Sequence, residues 1–260
     1  MPDLHQYQTF ALSAVIRTFI RSYQCTSVAK GFMFVSENFK AVMDRIASAA
    51  KRAGRDSSSV KLVVVTKTVP VDRIREAVAA GAAILGENRV QEAKEKIEKL
   101  GQLASWHLIG RLQTNKAKYA VKLFDLIHSV DSIELARELD KQAGRIGKKQ
   151  NVLIEVSIAG EEAKAGIPID AAAALVRESA TLNSLSIRGL MTIPPFLDDP
   201  EQVRPYFKKL RELSRSIAAE NIPGVSMQEL SMGMSGDFEV AIEEGATLVR
   251  VGTAIFGERA

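Results

Sequence analysis

From Glu37 onward, apolar residues recur at Phe39, Val42, Met43, Ile46 and Ala50, a spacing that gathers them on one face of an amphipathic helix ended by Gly54. The period then changes. Residues 61–67 (KLVVVTK) form a short Val-rich run suited to a strand buried on both faces, and Pro70 opens a helix that Gly81 closes. The same alternation repeats along the chain. Strand-like runs at 83–88 (AILGEN), 105–110 (SWHLIG) and 126–130 (LIHSV) are separated by a helix to Leu100 and another around 114–121. A helix capped by Ser132 follows, then a strand at 151–157 (NVLIEVS), a helix after Pro168, a strand at 186–193 (SIRGLMTI) and a helix at 200–219. Two strands complete the series, 227–235 (MQELSMGMS) and 247–257 (TLVRVGTAIFG), with a helix between them that ends at Gly245.

Eight strands alternating with helices, without a long structureless loop, predict a single α/β domain of the (β/α)8 TIM barrel class; an open doubly wound sheet is the alternative. Reactive groups of a barrel come from the C-terminal strand ends. Those ends offer Lys67, Asn88, Gly110 with Arg111, Ser129 with Asp131, Ser157, Thr192, Ser231 with Ser235, and Arg250 with Gly252 and Thr253.

Composition narrows the picture. With 46% hydrophobic and 25% charged residues among 260, the chain can bury a sizeable core, and no Pro/Gly/Ser-rich linker divides it. The net charge of +4 owes about half to Arg17, Arg21 and Lys30, set against Asp3 in the first 32 residues. Arg111, Lys116, Lys118 and Lys122 form a candidate basic patch, but they read as a solvated helix face and no nucleic-acid partner is expected. One cysteine, Cys25, excludes an intramolecular disulfide and suits a reducing compartment, so a cytoplasmic location is expected. Residues 10–20 are apolar but short and broken by Arg17, so no membrane association is expected. Residues 1–32 read as an extension, either a transit peptide or the product of a start placed upstream of Met33, and residues 33–260 as the barrel.

Lys67 follows four apolar residues and Thr66, where burial would favour the neutral amine that carbonyl condensation needs; the bland reading is a lysine that ends a strand in water. Ser231-Met-Gly-Met-Ser235-Gly236 and Arg250-Val-Gly252-Thr253 can turn backbone N–H groups and hydroxyls toward a phosphate, a common use of the last two barrel loops. An amine and a phosphate cradle on one face suit pyridoxal 5'-phosphate, with Arg250 toward its ring nitrogen. Met191, Met232 and Met234 read as thioethers filling the mouth, Met191 being a candidate to touch the ring. Trp106, His107 and His128 read as core, with no metal-ligand spacing. Residues 92–99 (EAKEKIEK) read as a solvated, charge-paired helix face without chemistry.

Six ordered segments, VVVTKTVP, GENRVQEA, WHLIGRLQTNK, GLMTI, ELSMGMSGDFEVAI and VRVGTAIFG, resemble the pyridoxal phosphate homeostasis protein family from about Met33 to the last residue. The resemblance implies a barrel of the alanine racemase N-terminal type (fold type III) holding the cofactor as a Schiff base on Lys67. Ser235, Gly252 and Thr253 would take the phosphate, Arg250 would face the ring nitrogen, and Asn88 would lie near the ring. It implies a carrier acting in vitamin B6 homeostasis, and indirectly in amino-acid metabolism, rather than an efficient enzyme. Its partners would be the cofactor and pyridoxal-phosphate-dependent apo-enzymes, and the chain would be a monomer or weak dimer. Arg111 stands where the family commonly has proline, and Lys116 is a candidate rim residue. A pyridoxal-phosphate-dependent amino-acid racemase and a cofactor-free Schiff-base aldolase are the rival readings; the former draws an acid/base residue from a second domain for which no segment up to Ala260 reads as a match.

Overall fold

The computed structural model describes residues 34–158 and 166–258. The residues from Val35 onward belong to one compact unit; the expectations for residues 1–32, Cys25 and Met33 lie outside the described residues.

The unit opens with helix α1 (Val35–Arg52), followed by β1 (Lys61–Val65), α2 (Val71–Ala79), β2 (Ile84–Glu87), α3 (Val90–Leu100) and β3 (Ser105–Leu108). Next come α4 (Ala117–Leu123), β4 (Leu126–Val130), α5 (Ile133–Gly144), β5 (Gln150–Ser157), the two-residue β6 (Ile167–Pro168) and α6 (Ile169–Ser179). The unit ends with β7 (Leu185–Met191), α7 (Arg204–Ala219), β8 (Val225–Ser231), α8 (Phe238–Glu243), β9 (Leu248–Val251) and α9 (Thr253–Phe256). Among the described residues, β1–β5 and β7–β9 make a closed ring of eight parallel strands: β1 joins β2 and β9, and β4 with β5 completes the circle. The expected (β/α)8 barrel is therefore present.

The period-2 side-chain rule explains the two layers of core. Val63 and Val65 point inward, where they meet Ile84, Ile109, Leu126, Leu153, Met191 and Leu248. The intervening Leu62 and Val64 point outward to the helix layer, joined there by Leu85, Leu108, Ile154 and Val249. Strands buried on both faces follow from this double layer, as in parallel barrels generally. Each fully buried Val, Leu or Ile side chain contributes roughly 1.5–3 kcal/mol, so the barrel is held mainly by its two apolar shells. Ser132 caps α5 by accepting from the Leu135 N–H, as its sequence position suggested.

Several boundaries differ from the sequence reading, among them the strand read at 227–235, which spans Val225–Ser231. β1 stops at Val65, and Thr66 to Thr68 turn away, with Thr68 at φ +63°. The run 247–257 is not all strand: β9 ends at Val251 and Gly252 starts the short α9, a change that a continuously apolar run conceals because it fits either period. Residues 200–219 split into a 3-10 turn, Pro200–Val203, and α7.

Candidate functional site

The C-terminal strand ends bring most of the expected residues to one mouth. Lys67 is partly buried and lies two residues beyond β1, in the turn at the C-terminal end of that strand. Asn88 follows β2, and it is held close to the end of β3: a Cβ at Gly110 would come within 2.5 Å of the Asn88 carbonyl oxygen. Ser129 donates to the Gly110 carbonyl at 2.7 Å, fixing that loop from β4. Met191 is fully buried in the inner shell, so it forms part of the floor.

Arg250 and Ser231 come from β9 and β8, the two strands that follow β1 on one side of the ring. Arg250 is almost wholly buried and donates to the Ser231 hydroxyl at 2.6 Å and to the Thr192 carbonyl at 2.8 Å. Ser231 is itself buried, below the loop that begins at Met232, and its Oγ lies 2.9 Å from His128 Nδ1. His128 Nε2 in turn lies 3.0 Å from His107 Nδ1. Arginine has only donors, so Ser231 accepts from it and gives its own proton to His128 Nδ1, its remaining partner among the described residues. The network thus assigns the proton of His128 to Nε2 and that of His107 to Nε2. Burial holds His107 down at about 4 and His128 well below the usual imidazole range, with His107 and Arg250 adding to the depression of His128; both rings are neutral near pH 7. His107 lines a cavity of about 400 Å3 with Lys61, Asp125, Arg188 and Glu229, at the N-terminal end of the strands. A neutral polar chain therefore crosses the barrel interior behind Arg250.

The last two loops carry small groups beside the start of α9. Gly252 starts α9 without a side-chain cap, Ser235 Oγ lies 3.5 Å from the Ala254 nitrogen, and Thr253 is exposed. A Cβ at Gly252 would lie 3.0 Å from the Val65 carbonyl oxygen, so glycine allows these loops to close against β1. Asp237 braces the turn by accepting from the Met234 N–H.

Two site residues escaped the sequence reading. Glu155 on β5 alternates with the inward Leu153, is 3% exposed, and has an Oε2 with no hydrogen-bond partner among the described residues. Burial, with Asp131 adding to it, pushes its carboxyl up to about 7, against the pull of Arg250 and Arg111. A lone acid at an inward position of an apolar strand was the available signal.

Lys96 corrects the reading of 92–99 as a solvated face. Its ammonium is buried and donates to the Thr66 carbonyl at 2.6 Å, to Glu87 Oε1 at 2.7 Å and to Glu92 Oε1 at 2.7 Å. Glu87 Oε1 also accepts from the Thr66 hydroxyl at 2.6 Å, and Glu92 accepts from the Thr68 N–H. Burial pushes the Glu87 carboxyl up in spite of Lys96 and Thr66; in the half-exposed Glu92 burial is outweighed, and Lys96 with the Thr68 N–H holds the carboxyl down. The charge alternation revealed the Glu92–Lys96 pair but not the contacts to the Lys67 turn.

Of the remaining candidates, Arg111, Lys118 and Lys122 are exposed, and Lys116 is half-buried in the turn Thr114–Lys116. Among the described residues no cluster of His, Cys, Asp or Glu could hold a metal ion, and no helix is long and apolar enough to cross a membrane.

Residues 38–260 match the family model described as alanine racemase, N-terminal domain. Over 228 residues the chain is 50% identical to the pyridoxal phosphate homeostasis protein of Aquifex aeolicus, covering 87% of this chain and 99% of that protein. It is similar to the solved structure of PipY from Synechococcus elongatus with PLP bound, at TM-score 0.73 and 40% identity, covering 83% of this chain and 100% of that one. Alanine racemase of Clostridium difficile shares the fold at TM-score 0.66 and 15% identity, over 86% of this chain and 57% of the racemase.

Proposed function

This chain belongs to the alanine racemase N-terminal domain family and, within it, to the pyridoxal phosphate homeostasis proteins, and on that premise we propose that it binds pyridoxal 5'-phosphate covalently through Lys67 as an intracellular carrier of the cofactor. When bound, the cofactor supplies an aldehyde that condenses with a primary amine and a phosphate that seeks N–H donors. The mouth fits such a group. The β1 side carries the Lys67 amine next to a buried guanidinium on the neighbouring strand β9, and Ser235, Gly252 and Thr253 gather at the start of α9, where the Ala254 N–H donates to the Ser235 hydroxyl. The observation that carries the reading is the joint placement of Lys67 and these loops at one end of the closed ring, brought together by the pairing of β1 with β9.

Each residue then has a separate task. Lys67 provides the amine. Arg250, kept cationic and pinned by Ser231 and Thr192, sets positive charge where a ring nitrogen would sit and so disfavours its protonation, which weakens the ring as an electron sink. That suits storage better than turnover. Asn88 and Met191 would border a bound ring, and Ser231 would hold Arg250 rather than the phosphate. Glu155, with a carboxyl near 7, can lose its charge beside an anionic cofactor at little cost. Delivery to apo-enzymes in the cytoplasm completes the proposed role.

The absorbance spectrum of the purified chain, with borohydride trapping and mass measurement, tests the reading. The parent should retain a reducible adduct and Lys67→Ala should lose it entirely. A parent protein that is colourless and refuses added pyridoxal phosphate would end the proposal, and an adduct that survives in Lys67→Ala would move the linkage to another lysine.

A further inference from the structure

Thr68 is β-branched yet sits at φ +63°, a left-handed conformation that such residues rarely adopt and that persists only where the surroundings over-determine it. It immediately follows Lys67. The over-determination comes from α3, whose Lys96 and Glu92 grip the turn on both sides of Lys67: Lys96 through the Thr66 carbonyl at 2.6 Å, Glu92 through the Thr68 N–H. All three ammonium donors of Lys96 are used, on Thr66, Glu87 and Glu92, and Glu87 returns to the same turn through the Thr66 hydroxyl. Thr66 also closes the turn by accepting from the Val69 N–H at 2.9 Å. Nothing in this cluster belongs to the phosphate loops, which lie across β1 on the β8 and β9 side.

We propose that Lys96, with Glu87 and Glu92, is a positioning device for the Lys67 amine, holding the strained Lys67–Thr68 turn in the one backbone geometry from which covalent attachment is favourable. The proposal rests on the reading of Lys67 as the attachment point. Attachment joins the Lys67 nitrogen to the aldehyde carbon as a C=N bond and releases one water, so the turn geometry bears on this bond and not on phosphate capture. Loosening the turn should then weaken a ligand that can form the bond and spare one that cannot.

The experiment compares pyridoxal 5'-phosphate with pyridoxine 5'-phosphate, in which an alcohol replaces the aldehyde, on the full-length apo-protein and its Lys96→Met and Glu92→Ala variants. Lys96→Met should weaken the aldehyde ligand by about tenfold or more, and Glu92→Ala by less, while the alcohol changes by no more than about twofold in either. Equal weakening of both ligands would make Lys96 a general support of the mouth and overturn the proposal. So would unchanged affinity for both. Should Lys96→Met fail to fold, Glu92→Ala, at a half-exposed position, decides by the same split. A parent protein that binds the alcohol but not the aldehyde would instead remove the reading of Lys67 and leave the clamp without a purpose.

Discussion

The two walls of the mouth are backed by opposite kinds of chemistry. Behind Lys67 stands an ionic cluster, Lys96 with Glu87 and Glu92, while behind Arg250 runs a chain of neutral groups, Ser231, His128 and His107. The first must hold a strained backbone, and a buried ammonium with three acceptors does so because charge-assisted bonds are short and strong. The second must hold a cation without cancelling it. A carboxylate in contact with Arg250 would neutralise the field it projects into the mouth, whereas a serine oxygen and a carbonyl satisfy its N–H groups and leave the charge in place. Asp237 and Glu155 act on Arg250 only through space, and among the described residues neither forms an ion pair with it. Support by ions fixes geometry; support by neutral groups preserves charge.

The largest effect should come from breaking the ionic side. Lys96→Met leaves the fully buried Glu87 carboxyl without its cation, and removing one partner of a buried pair costs about 3–5 kcal/mol. Urea unfolding of the apo-protein should show the loss growing with pH from the point at which Glu87 ionises beside Lys96 in the parent, because the stranded carboxyl of the variant resists ionisation to still higher pH. Glu87→Gln in the same background should recover part of the stability, since an amide does not need the cation. A double variant no more stable than Lys96→Met would show that the charge of Glu87 is not what Lys96 compensates.

How much of this was legible in the sequence follows from the range of the forces involved. The barrel was readable because inward and outward alternation is local: Val63 and Val65 differ in face from Val64 by position alone. The turn that carries Lys67 was not: the end of β1 was misplaced because Thr66 and Thr68 favour extended structure and nothing local announces φ +63° at Thr68. Lys96 was misread because its partner one helical turn away, Glu92, explains the charge pattern without the long-range contact to Thr66. Ser231 drew attention as a strand-end hydroxyl, but its partners His128 and Arg250 come from two other strands, and only closure of the ring brings them together.

Glu155 tests the claim that the Arg250 side works without a carboxylate, and its effect should be the next largest. Its folded carboxyl lies at about 7, above the value of about 4.5 in the unfolded chain, so the stability it allows is fully present below 4.5 and is lost as pH rises through 7. Above 7 the deficit is roughly 3 kcal/mol. Glu155→Gln should remove that deficit, becoming more stable relative to the parent as pH climbs from 4.5 to 8. His107, held down at about 4, imposes the reverse slope between about 4 and 6.5 in both proteins, so it cancels in the difference. If Glu155→Gln is instead less stable than the parent above pH 7, Glu155 is an ionised partner of Arg250 and the contrast between the walls fails.

The smallest effect should follow Ser231→Ala, and its dependence on pH matters more than its size. The substitution takes one acceptor from Arg250 and one donor from His128, both in full burial, and leaving such groups unsatisfied costs about 1–3 kcal/mol. Neither imidazole gains a proton above about pH 6.5, and burial brings Arg250 down only to about 10, so no member of the chain changes charge between 6.5 and 9. In a Glu155→Gln background, which removes the carboxyl that titrates at about 7 beside Arg250, the loss should therefore stay flat across that interval in urea unfolding. The cost of Lys96→Met, by contrast, grows from the pH at which Glu87 ionises in the parent to that at which it ionises in the variant. A cost for Ser231→Ala that rises or falls with pH in this interval would place a titrating group in the chain behind Arg250, and the distinction between an ionic and a neutral wall would have to be given up.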